Sequence, residues 1–286
     1  MKKILVPTDF SEHAENALQI AAQLAHRYDS EIYLLHMIEL PANMTNPVGD
    51  TRSNDLPEAI GFMKLAKKRY NEVLSRPYLK GLKVHEIVEF HQAFDGIMET
   101  SKEHGVDFIV MGSRGASGFK EMFVGSNTEK VVRTSEIPVL VIKKNIPEFR
   151  IKNFVFATNL DSSNKKTLEK VVNFAKLVDA KLHLLYINTA NEFITSKDTD
   201  NYLEKYLEGM DFENYEFHVY NDDSVEQGIL NFAQKTDADL VGIATHGRKG
   251  ISHFFNGSIS EDLVNHAERP IITFKLEKKD SRKNFP

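Results

Sequence analysis

There is no cysteine anywhere in the 286-residue sequence. That absence excludes disulfides, thiolate-held iron–sulfur clusters, zinc ribbons and any thiol nucleophile. Nor is there an excess of positive charge: 36 Lys and Arg against 41 Asp and Glu leave a formal net charge of −5. No net basic field therefore favours nucleic acid or an anionic membrane surface as a partner. No apolar run approaches the roughly 20 residues of a membrane span. At the N-terminus the stretch Ile4 to Val6 is broken by Pro7 and Asp9, short of a signal-peptide core, so the expected location is cytoplasmic. What is present, 41% hydrophobic and 27% charged residues, suffices for ordinary globular cores. At roughly 100 to 200 residues per domain the length suggests two.

The chain repeats itself, which fixes its organisation before any single residue is interpreted. KKILVPTDFS (2–11) answers to KNFVFATNLD (152–161), and SEIYLLHMIE (30–39) to AKLHLLYINT (180–189), both displaced by 150 residues. GVDFIVMGSRGASGFKEMFVGS (105–126) answers to DADLVGIATHGRKGISHFFNGS (237–258), and IPVLVIK (137–143) to RPIITFK (269–275), displaced by 132. The second copy thus lacks a loop and some helix between its second and third strands. The excess in the first copy includes 41–57, whose Pro, Asn, Gly and Asp content reads as a long loop.

Within each copy short apolar runs alternate with amphipathic stretches of helical period, the pattern of an α/β fold with a parallel sheet. In the first copy strands are expected near 3–7, 31–38, 84–90, 107–112 and 138–143. Ser11 caps the first helix, and Ala14, Ala17, Leu18, Ala21, Ala22 and Ala25 form its apolar stripe. The equivalent helix is expected to begin near Ser162 or Ser163. The charged segment 143–153, with Pro147, marks the boundary, so the expected domains are 1–144 and 150–276, with 277–286 a flexible tail. Each copy ends in an apolar strand, and mutual cover of these two edges predicts an intramolecular pseudo-dimer.

The pattern that carries chemistry is Gly112-Ser113-Arg114-Gly115, nine residues, then Gly125-Ser126, set between an apolar strand ending in Met111 and a helical stretch. Glycine at a strand end permits a sharp turn and a close approach. The helix N-terminus after Gly125 offers unpaired amides and about half a positive charge to an anion. Ser126 can cap that helix or donate to a phosphate oxygen, and Arg114 supplies a mobile charge. The spacing matches neither the G-x4-G-K-[ST] loop nor G-x-G-x-x-G. Asp9, at the carboxyl end of the first strand after Pro7 and Thr8, faces the same crevice if strands one and four adjoin where strand order reverses. As a charge beside the helix start at Ser11 it has an equally ordinary structural role.

On ILVPTDFSEHAENAL, IYLLHMIE, VDFIVMGSRG and GSNTEKVVRTSEIPVLVI, with glycines at 112, 115 and 125 followed by Ser126, the sequence resembles the universal stress protein family, as a tandem of two family domains. The resemblance implies two doubly wound α/β domains, each with a five-stranded parallel sheet of order 3-2-1-4-5. It implies ATP with Mg or Mn as ligand and a role in stress adaptation with little or no turnover. By resemblance Asp9 and the backbone at Pro7 and Thr8 hold the adenosine, and Met37 flanks the base. Met111, Gly112, Ser113, Arg114 and Gly115 line ribose and phosphates, and Gly125, Ser126 and Asn127 bind phosphates.

The second copy keeps Gly247, Gly257 and Ser258 but has Ala244, Asn159 and Ala157 where Gly112, Asp9 and Pro7 stand. Asn159 loses a charge, and Ala244 costs roughly 1 to 2 kcal/mol if a left-handed φ is required there. ATP is therefore expected in the N-terminal domain only. His246, His253 and His266 have no metal-ligand spacing, so no metal site is expected. The basic run Lys64, Lys67, Lys68, Arg69 reads as a solvated helix face, and Phe254 and Phe255 as packing residues. No G-x-S-x-G elbow or serine–histidine–acid constellation appears, and no catalytic residue is assigned. The expected function is an ATP-binding stress sensor, with possible further homo-oligomerisation. The alternatives are a slow ATP hydrolase and a stress protein that binds a non-nucleotide ligand through its C-terminal domain.

Overall fold

The computed structural model describes residues 1–38, 55–90, 92–115, 125–245 and 263–276, with side chains from residue 60 onward in the second stretch. The chain divides into two compact units, one of residues 1–131 and 139–149 and the other of 132–138 and 150–286.

The first unit runs β1 (Lys3–Pro7), α1 (Glu12–Tyr28), β2 (Glu31–Met37), α2 (Asp55–Leu74), β3 (Val84–Glu89), α3 (Ala93–Glu103), β4 (Phe108–Gly112), α4 (Ser126–Thr134) and β5 (Val139–Ile142). Residues 55–57, expected in the long loop, open α2 instead, and 41–54 lie outside the described residues. The strands pair in parallel in the order β3-β2-β1-β4-β5, with Val6 opposite Leu34, Leu5 opposite Ile109 and Val110 opposite Leu140. Their apolar runs are continuous rather than alternating because helices cover both faces, and Ile4, Leu5, Val6, Ile109 and Val110 are buried.

Helix α1 shows how local sequence sets a boundary. Ser11 Oγ accepts from the Ala14 amide at 3.3 Å, Glu12 and Glu15 stand at the positive end, and His26 and Arg27 close the negative end. Asp29 then stops the helix in the left-handed conformation. The alanine stripe with Leu18 is buried throughout, as its spacing predicts. In α2, Lys64, Lys67, Lys68 and Arg69 are exposed, while Tyr70 is buried and donates to the Leu34 and Ile87 carbonyls.

The second unit repeats the plan with β6 (Asn153–Ala157), α5 (Lys165–Val178), β7 (Lys181–Asn188), α6 (Ser196–Leu207), β8 (Tyr215–Asn221), α7 (Val225–Lys235), β9 (Leu240–Thr245) and β10 (Ile271–Lys275). Its strand order is β8-β7-β6-β9-β10, again parallel, so both units have the order 3-2-1-4-5. The first helix differs. Where α1 begins directly at Glu12, the second unit makes a 3-10 turn at Ser162–Asn164 before α5 starts at Lys165. The expected start near Ser162 or Ser163 is therefore that of the turn. The tail 277–286 lies outside the described residues.

Candidate functional site

In the first unit β1 lies between β2 and β4, and the chain leaves it to opposite sides. The carboxyl ends of β1 and β4 thus flank the point where strand order reverses, the usual crevice of a doubly wound sheet. A cavity of about 400 Å³ opens there, within the range of small-molecule sites. Pro7, Thr8, Asp9, Met37, Met111, Gly112, Arg114, Gly115, Gly125, Ser126 and Asn127 all line it. Eleven of the twelve residues singled out from sequence are thereby brought together. The twelfth, Ser113, is buried and not part of the lining. Its backbone ties the loop instead: its amide donates to Ile142 O at 2.9 Å and its carbonyl accepts from the Gly125 amide at 2.8 Å.

The wall from β1 is a tight turn. The Thr8 hydroxyl accepts from the Phe10 amide at 3.0 Å, and Asp9 Oδ1 accepts from the Ser11 amide at 3.0 Å. Phe10 takes the left-handed φ of 62°, which costs an L-residue about 1 to 2 kcal/mol. The ring of Phe10 offsets this by packing 4.5 Å from His36 and 5.5 Å from Tyr70. His36 of β2 donates from Nδ1 to the Thr8 carbonyl at 2.8 Å and so locks the same turn.

The opposite wall is the start of α4. Its first helical hydrogen bond runs from the Glu129 amide to Gly125 O at 3.0 Å, so the amides of Ser126, Asn127 and Thr128 have no acceptor within the helix. They point the positive end of the helix dipole into the cavity, with Arg114 beside them. This donor set fits an anionic ligand. Thr128 Oγ1 donates to Gly112 O at 2.9 Å and pins the helix to the strand end.

The glycines act by close approach. A Cβ on Gly112 would lie 2.6 Å from the His13 carbonyl oxygen, so the absence of a side chain lets α1 cross the end of β4. Gly112 does not have a left-handed φ, and the penalty weighed for Ala244 on that ground does not apply. A Cβ on Gly115 would lie 2.6 Å from Asp9 Oδ2, so a bare backbone there lets the carboxylate sit against the loop.

Ala14, Leu35, Ala93, Ile97 and Thr128 also line the cavity and were not singled out from sequence. Ala14 carries the signature of ordinary core on α1, and Thr128 follows Asn127 in the first turn of α4, a position from which it could have been found. A second hollow of about 430 Å³ lies on the far side of Asp9, between Phe10, His36 and the Phe62, Ala66 and Arg69 face of α2.

A family model, Universal stress protein family, matches residues 1–143 and again 150–275. The chain belongs to the universal stress protein family. The universal stress protein Slr1230 of Synechocystis sp. is 24% identical over 293 residues, covering 96% of this chain and all of that protein. Universal stress protein MJ0577 of Methanocaldococcus jannaschii is 34% identical over 161 residues, half of this chain and 95% of that protein. The crystal structure of a universal stress protein from Archaeoglobus fulgidus superposes with a TM-score of 0.63 at 20% identity, over 96% of this chain and 97% of that one, a likeness of fold.

The second universal stress protein unit keeps the turn. Thr158 and Leu160, the latter with φ 57°, repeat the Thr8–Phe10 turn, and Asn159 Oδ1 accepts from the Asp161 amide at 3.2 Å as Asp9 does from Ser11. A small hollow of about 10 Å³ lies beside Ala157, Thr158, Asn159 and Ala244. Tyr206 of α6, 2% exposed, lines the same hollow, hydrogen-bonded to Thr158 and with its hydroxyl pushed up to about 12 by burial. Gly247, Gly257, Ser258, His246, His253, Phe254 and Phe255 lie outside the described residues. His266 is exposed and paired with Glu226 Oε1 at 2.7 Å. Among the described residues no helix is long and apolar enough to cross a membrane.

Proposed function

We propose that the first unit binds ATP with Mg or Mn, and that its occupancy, rather than turnover, is what this universal stress protein contributes to stress adaptation. The observation that carries the reading is the cavity at the switch point of the first sheet, walled on one side by the Asp9 turn and on the other by the amides of α4. In this reading Asp9 with the backbone at Pro7 and Thr8 takes the adenosine, and Met37 flanks the base. Met111 to Gly115 run along ribose and phosphates, and the amides of Ser126 and Asn127 meet phosphate oxygens at the positive helix end. Magnesium keeps several waters and is held largely by the phosphates themselves.

The second unit binds nucleotide weakly or not at all, because Asn159 lacks the charge of Asp9 and Ala244 carries a methyl group where Gly112 has none. Calorimetric titration of the nucleotide-stripped full chain with Mg-ATP, with ADP release followed for hours, tests the reading. One site per chain and negligible ADP are expected. Two tight sites overturn the asymmetry, no heat overturns the nucleotide assignment, and stoichiometric ADP restores the hydrolase.

A further inference from the structure

The second unit carries a cluster of potential metal ligands that the nucleotide reading does not use. Strands β7 and β8 pair with His183 opposite Glu216 and Leu185 opposite His218. Residues two apart on a strand share a face, so Glu216 and His218 stand together beside His183. His183 Nδ1 lies 3.1 Å from His218 Nε2 and 3.8 Å from Glu216 Oε2, and His218 Nε2 lies 3.7 Å from the same oxygen. Tetrahedral zinc, with bonds of roughly 2.0 to 2.2 Å, sets neighbouring ligand atoms about 3.3 Å apart. The three atoms therefore outline one face of such a tetrahedron to within about half an ångström.

The surroundings orient these atoms. His183 is buried, and its Nε2 donates to Asn153 Oδ1 at 3.3 Å, which leaves the Nδ1 lone pair facing the other two ligands. An outer carbonyl that fixes the tautomer of a ligating histidine is a regular feature of zinc sites. Lys181 Nζ holds Glu216 Oε1 at 2.5 Å, so the carboxylate turns its other oxygen to the imidazoles. Between the two rings only one hydrogen fits, since one nitrogen must accept; a cation entering there displaces that proton. Glu216 and His218 are partly exposed, with side chains 51% and 27% accessible, which leaves an entry path and room for solvent as a fourth ligand.

The arrangement is not a by-product of the fold. In the first unit the matching register places Tyr33 opposite His85 and Leu35 opposite Ile87, and the Tyr33 and His85 rings stack at 4.4 Å. We propose that His183, Glu216 and His218 bind a divalent ion of the zinc class, open to solvent on one side and bridging β7 to the neighbouring β8. The expectation of no metal site rested on spacing along the chain, whereas these ligands meet across two strands.

The test uses the full chain, stripped with chelator and free of nucleotide, titrated with Co(II) while the visible absorption of the low-symmetry ion is followed, then with Zn(II) as competitor. One cobalt per chain, displaced by one zinc, is expected. His218→Ile, which installs the residue type of the first unit, and Glu216→Gln should each weaken cobalt binding at least about tenfold, as should Asn153→Ala through its hold on His183. His266→Ala should change nothing. Circular dichroism of the metal-free variants checks folding, and Glu216→Gln, a change at the surface, decides the matter if His218→Ile does not fold. Absence of the cobalt spectrum, or its survival unchanged in Glu216→Gln, overturns the proposal.

Discussion

Replacing Gly112 by alanine separates the structural from the ligand-binding role of the glycine motif. The added Cβ would lie 2.6 Å from His13 O, 2.7 Å from His13 C and 3.0 Å from His13 Cβ. Non-bonded heavy atoms settle at roughly 3.5 to 4.0 Å, so the overlap approaches 1 Å and falls on backbone, which has no rotamer to yield. Relief requires the first turn of α1 to lift off β4, disturbing the buried Ala14 and Ala17. Over-packing of this kind costs about 1 to 3 kcal/mol. For a unit of this size that lowers the melting temperature by roughly 3 to 10 °C. Gly125→Ala is the control, because its nearest contact, Arg114 Cα at 3.6 Å, is ordinary, and a change within about 0.5 kcal/mol is expected. Differential scanning calorimetry without nucleotide reads stability apart from binding. Equal melting temperatures for wild type and Gly112→Ala would refute the argument that α1 crosses β4 at that glycine.

Three further outcomes are expected. Tyr206→Ala removes a ring that is 2% exposed and bonded to Thr158 and should cost about 3 to 5 kcal/mol by denaturant unfolding; a loss below about 1 kcal/mol would mean the ring is not packed there. Asp9→Asn keeps the oxygen that accepts from Ser11, as Asn159 does for Asp161, so stability should hold while Mg-ATP affinity falls roughly five- to tenfold through the lost charge; unchanged affinity contradicts the role given to Asp9. Glu31, bonded to Lys83 Nζ at 2.7 Å and His85 Nε2 at 2.8 Å, has its pKa lowered to about 2 from 4.5, chiefly by the Lys83 and His85 hydrogen bonds. Its contribution is present above about pH 4.5 and lost as pH falls toward 2, so Glu31→Gln should flatten the acid limb of melting temperature against pH, and an unaltered slope would show that the pair is inert.

The strand positions and the glycine loop were legible because they depend on features local in sequence, whereas the strand order and the roles of Met37, Met111 and Asn127 came only with the family resemblance. Ile4 to Val6, Tyr33 to Leu35 and Phe108 to Met111 are apolar on both faces, and the glycine spacing of 112, 115 and 125 carries its own geometry. What was not legible depends on neighbours distant in the chain. Gly112 is needed because His13 of a different element lies over it, and Ala244 is tolerated in a unit whose first helix opens with a 3-10 turn. Tyr206 sits on a helix whose amphipathic pattern says only that one face is buried, not that its hydroxyl reaches Thr158. His183 and His218 are 35 residues apart and meet through the register of two strands.

The central claim, that nucleotide is held by the first unit and excluded from the second, is tested most directly by hydrogen–deuterium exchange on the full chain with and without saturating Mg-ATP. Slowed exchange is predicted in peptides spanning Pro7 to Ser11, Met111 to Gly115 and Gly125 to Thr128, with Ala157 to Asp161 and Ala244 to Thr245 unchanged. Protection of the second set, or of neither, would contradict the account.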